Sequence, residues 1–64
     1  MLMNIEVLFN GELYTVETKP FGASFSVEKI KTRCGDNVTE LVKASHTVFM
    51  EFYRLASVAY YDPN

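Results

Sequence analysis

Polar and apolar positions alternate along the first third of the chain, and the alternation is centred on Asn10-Gly11. That dipeptide favours a two-residue type I′ turn, in which both central residues take positive φ. With the turn fixed there, Phe9 faces Glu12, Leu8 faces Leu13, Val7 faces Tyr14, Glu6 faces Thr15 and Ile5 faces Val16. Ile5, Val7, Phe9, Tyr14 and Val16 then share one face, joined by Glu12 near the turn. Asn4, Glu6, Thr15 and Glu17 take the other, with Leu8 and Leu13 as an apolar pair across it. One oily face and one mostly wet face are what a sheet covered on one side requires, and a one-residue slip would scramble both. The pattern predicts a β-hairpin over 3–18, ended by Lys19-Pro20-Phe21-Gly22.

Beyond the hairpin the period changes. Read as a strand, 24–33 would put Phe25 and Val27 on the same face as Lys29, Lys31 and Arg33, which spoils the alternation. Val27, Ile30 and Cys34 recur instead at helical steps, Ser24 or Ser26 can cap the start, and Gly35 suits a left-handed C-terminal cap. The spacing predicts a short helix over about 25–34. Val38, Leu41, Ser45, Val48, Phe52, Leu55 and Ala59 then follow one another at steps of three and four, widened by Val42, Phe49 and Ala56. Asn37 followed by Glu40 resembles a capping box, and Asp62-Pro63 stops the run. Glu40–Lys43 and Glu51–Arg54 are spaced for i, i+3 ion pairs. This predicts a long amphipathic helix over about 37–60, and the whole reads as one α+β domain over 1–64 in ββαα order.

Such a helix is about 33–35 Å long, whereas hairpin strands of six or seven residues span only about 20–24 Å. A two-stranded ribbon is too narrow to cover so broad a stripe. The excess predicts an intermolecular contact through Val48, Phe49, Phe52, Tyr53, Leu55, Tyr60 and Tyr61, with a homodimer as the simplest assembly.

Composition sharpens this. Sixty-four residues bury a marginal core, and small folds usually need a staple. Cys34 is the only cysteine and His46 the only histidine, which leaves neither a disulfide nor a four-ligand zinc site. A partner chain or unusually good packing remains. The net charge of −2 argues against a protein held by nucleic-acid phosphates, although Lys19, Lys29, Lys31 and Arg33 cluster within 19–33. That cluster is a candidate patch for an anion or an acidic partner. The start lacks a signal-peptide pattern, and Glu51 and Arg54 interrupt the apolar tail, so a cytoplasmic protein without a membrane span is expected.

Candidate chemistry is thin. Cys34 and His46 are the only pair suited to nucleophilic catalysis, with no third group to orient the imidazole. Cys34 reads more simply as a half-buried apolar side chain, and His46 as a residue at the edge of the stripe. Glu6 and Glu17 on the wet face, and Glu12 near the turn, read as solvated charges. Asn37-Val38-Thr39 matches a glycosylation acceptor, but helix capping explains it better. The sequence therefore predicts a non-enzymatic protein-binding module without a cofactor, of the inhibitor or modulator kind that phages and mobile elements carry. The alternative is a small nucleic-acid-binding regulator using 19–33.

Overall fold

The computed structural model describes residues 3–61 and shows a three-stranded antiparallel sheet covered on one side by two helices. The strands are β1 (Met3–Phe9), β2 (Glu12–Phe21) and β3 (Ser24–Thr32), in spatial order β1-β2-β3. The helices are α1 (Thr39–Lys43) and α2 (His46–Tyr61). The fold is α+β, with one more strand than the sequence pattern predicts.

The first hairpin forms in the expected register. All five predicted pairs are present, and Met3↔Thr18 and Asn4↔Glu17 continue the ladder. Asn10 and Gly11 take φ of 53° and 82°, which the type I′ turn demands. Ile5, Val7 and Val16 are buried, while Asn4, Glu6 and Leu8 are exposed.

The helix predicted over 25–34 is instead β3, and the reason is one residue. Thr18 pairs with Val27 but Glu17 pairs with Lys29, so Glu28 is an extra residue bulged out of the ladder. A β-bulge of this kind inverts the parity of everything beyond it. Phe25 and Val27 before the bulge and Ile30 after it therefore all point inward and are buried. Their helix-like spacing is a strand period with one residue inserted. The β2–β3 turn is Gly22-Ala23, where Gly22 alone has positive φ (62°), as in a type II′ turn.

The helix predicted over 37–60 is divided. Asn37 does not cap through a capping box. Its Oδ1 accepts the Thr39 N–H at 3.0 Å and the Thr39 hydroxyl at 2.6 Å, and Val38 stands at the cap position. The chain then breaks at Ala44-Ser45. Ser45 had the place of a stripe residue in the sequence pattern, but it starts α2: its carbonyl accepts Phe49 N–H and its hydroxyl accepts Val48 N–H. This is N-cap behaviour, which Ser favours because its oxygen satisfies an otherwise orphaned amide.

Between β3 and α1 the chain folds back on the sheet. Gly35 adopts φ of 96° within a tight turn rather than after a helix. Thr32 N–H donates to Asp36 carbonyl, and Val38 N–H to Ile30 carbonyl. Thr39, buried, places its hydroxyl 2.8 Å from Ile30 N–H. Residues 36–39 thus fringe the free edge of β3 and satisfy backbone groups that burial would otherwise leave unpaired.

The third strand also resolves the surplus of apolar surface. A helix of sixteen residues is about 24 Å long, comparable with strands of seven to ten residues. No overhang is left, and the core of Ile5, Val7, Val16, Phe25, Val27, Ile30, Val42, Phe52 and Ala56 lies between the layers.

Candidate functional site

α2 buries two aromatic clusters. Phe52 lies between the first two strands, its ring 4.7 Å from Phe9 and 5.0 Å from Tyr14, edge-on to the latter. Tyr53 and Tyr60 both stack on Phe25 of β3, at 4.7 Å and 4.6 Å between ring centres. Seven helical residues rise about 10.5 Å, so the two tyrosines admit the Phe25 ring between them. The Tyr53 hydroxyl also approaches Ser24 Oγ (3.1 Å) and donates to Phe25 carbonyl (3.4 Å), and the Tyr61 hydroxyl reaches Ala23 carbonyl. A Tyr ring that stacks while its hydroxyl finds a polar partner uses both of its chemical faces.

The residues expected to meet a partner therefore divide. Phe52 is 1% exposed and is core. Val48, Phe49, Tyr53, Leu55 and Tyr60 are half-buried and pack against that core. Tyr61 is exposed. The apolar side chains that α2 presents outward are Met50, Val58 and Tyr61, of which the residues expected from the sequence include only Tyr61. Met50 and Val58 line an open groove with His46, Tyr53, Arg54 and Ser57. An exposed ion pair joins Glu51 to Arg54 along its rim. The hydrogen bond from Arg54, helped by its charge, holds the Glu51 carboxyl below its ordinary value, against a smaller opposing effect of desolvation. The other expected pair, Glu40–Lys43, is not formed.

The second exposed surface is the outer face of the sheet. Leu8 and Leu13 pair across it, and Phe21 projects at its end, 73% exposed. The bulge sends Lys29 and Lys31 to this face, where Lys29 stands opposite Glu17 and Lys31 opposite Thr15. Lys19 lies on the same face of β2, while Arg33 is exposed in the turn after β3. The basic cluster thus exists as a sheet surface with Glu6 and Glu17 interspersed, rather than as a helix face.

Cys34 is exposed in the turn that follows β3, not half-buried near a helix end. His46 opens α2 and is exposed on the groove. Among the described residues, no three His, Cys, Asp or Glu side chains gather as metal ligands, and no helix is long and apolar enough to cross a membrane. Every buried side-chain nitrogen or oxygen among those residues has a hydrogen-bond partner. No protein-family model matches the chain, and neither the curated proteins nor the solved structures yield a match.

Proposed function

We propose that the protein is a small binding module that works by covering a surface on another protein, as an inhibitor or modulator without chemistry of its own. The observation behind this reading is the apolar outer side of α2. Met50, Val58 and Tyr61 stand in solvent beside Tyr53, with the Glu51–Arg54 pair as a charged border. Interfaces favour this combination, an aromatic and Met centre inside a polar rim. Phe52 and Tyr60 support the face from beneath through their packing on the sheet. Self-association as a two-fold dimer belongs to the same reading.

The test is a Met50→Asp/Val58→Asp variant, whose changes lie on exposed positions and leave the core intact. Circular dichroism should show an unchanged fold, while capture of a binding protein from native-cell extract is lost. A folded variant that captures the same protein at the same yield refutes the α2 face as the contact.

A nucleic-acid-binding reading rests on Lys19, Lys29 and Lys31 sharing the uncovered sheet face. Glu17 opposite Lys29, and Glu6 on the same face, dilute the positive field that phosphate binding needs. Retention on heparin that falls steeply with salt would favour this second reading.

A further inference from the structure

The two edges of the sheet are finished differently. At β3, Tyr53 hydroxyl takes the Phe25 carbonyl, Thr39 and Val38 take the Ile30 amide and carbonyl, Asp36 takes the Thr32 amide, and Glu28 bulges between them. These devices blunt an edge against another strand. At β1, among the described residues, none is present. The strand is seven residues long and regular, has no proline, and carries one charge, Glu6.

Which backbone groups are open follows from the turn. A two-residue hairpin closes on a hydrogen-bonded pair, here Phe9↔Glu12, and bonded pairs then alternate with unbonded ones. Val7 and Ile5 therefore bond to β2, and the N–H and C=O groups of Asn4, Glu6 and Leu8 point away from the sheet. The side chains of these three residues are exposed as well.

We propose that this edge pairs with the β1 edge of a second copy, antiparallel about a two-fold axis beside Ile5, to give a continuous six-stranded sheet. This specifies the dimer included in the reading above, and it leaves Met50 and Tyr61 free for a different protein. In that register Asn4 lies opposite the partner's Glu6, so an amide meets a carboxylate on the outer face, and the backbone groups of both are paired. Ile5 meets its own copy on the inner face. A register centred on Glu6 would oppose two carboxylates, which disfavours it.

α2 lies at the same edge. Phe52 touches Phe9 on β1 and Tyr14 on β2, and the α2 backbone lies closest to β1. Tyr53 and Tyr60 reach toward β3, so the opposite flank of α2, with half-buried Val48 and Leu55, faces the axis. The second helix would cover that flank.

Glu6→Pro is the discriminating substitution. Glu6 N–H is an open donor, so proline there removes one intermolecular bond per copy, two per dimer, and no bond to β2. Sedimentation from low micromolar to millimolar concentration should show wild type moving from 7.3 kDa toward twice that mass, and the variant associating at least about tenfold more weakly. The amides of Asn4 and Glu6 in the unmodified chain should gain hydrogen-exchange protection as concentration rises, a readout that does not depend on the variant folding. Met50→Asp should dimerise normally. A wild type that stays monomeric, or whose Asn4 and Glu6 amides exchange equally fast at all concentrations, overturns edge pairing. So does a dimer that survives Glu6→Pro but is lost with Met50→Asp, which would move self-association to the outer face of α2.

Discussion

Replacing Thr39 with valine would isolate the hydrogen bonds of one hydroxyl at the edge of β3. The two side chains have nearly the same shape, so the change removes a hydroxyl and little else. In the native chain that hydroxyl accepts Ile30 N–H at 2.8 Å and donates to Asn37 Oδ1 at 2.6 Å, inside a region where Ile30 is fully buried and Thr39 nearly so. Thr39→Val leaves the Ile30 amide without an acceptor and without water. An orphaned buried donor costs about 1–3 kcal/mol, and the extra buried methyl returns up to about 0.8 kcal/mol. The expected net loss is about 1–2 kcal/mol. A domain of this size has roughly 3–10 kcal/mol in total, so the loss is a large fraction of it. At about 4–8 °C per kcal/mol, Tm should fall by roughly 5–15 °C. Urea unfolding followed by circular dichroism should show a lower midpoint with an unchanged slope. The Ile30 amide should also exchange faster with solvent than its β3 neighbours. Thr39→Ser, which keeps the acceptor, should lose less. If Thr39→Val unfolds within about 0.3 kcal/mol of wild type, residues 36–39 do not secure the β3 edge through this bond.

Three other outcomes are expected. Phe52→Ala empties the space between Phe9 and Tyr14 and should cost about 3–5 kcal/mol, enough to unfold much of the population at 25 °C; a fully folded variant by urea titration would contradict its central place. Deletion of Glu28 removes the bulged residue and makes Phe25, Val27 and Ile30 strictly alternate, so the shortened chain should fold with stability within about 1 kcal/mol of wild type, whereas deletion of Ser26 should turn Phe25 outward and destabilise severely. The Glu51 carboxyl should titrate below its ordinary value of 4.5 by NMR and return to it in Arg54→Met. Because its folded pKa is lowered, whatever the pair contributes is present above pH 4.5 and lost as pH falls through the folded value. On so exposed a pair the change in stability should be too small to resolve.

The first hairpin was fully legible because Asn10-Gly11 fixes both the turn and the register, and every pair along β1 and β2 follows from it. The third strand was hidden by Glu28, since one inserted residue makes an alternating pattern mimic helical steps. Nothing in the composition of Ser24–Thr32 marks the insertion. The helical character of the last third was readable from its stripe, but the break was not. Ser45 fits the stripe by position, and its capping role depends on α1 docking on β3 while α2 packs on β1. The missing strand also explains why the aromatic surplus looked unpartnered: Phe25 occupies Tyr53 and Tyr60. Met50 and Val58 could have been found by placing each residue at 100° steps around the helix.

Each strand pairs only with its neighbour in the chain, through turns of two residues, and this bears on how the molecule assembles. Closing such short loops costs little entropy, and isolated hairpins form within microseconds. The slower task is bringing α2 back across the chain to β1, some forty residues earlier. Until that return journey is complete the sheet has two wet sides and no interior, so the arrival of α2 is the event that turns a ribbon into a protein.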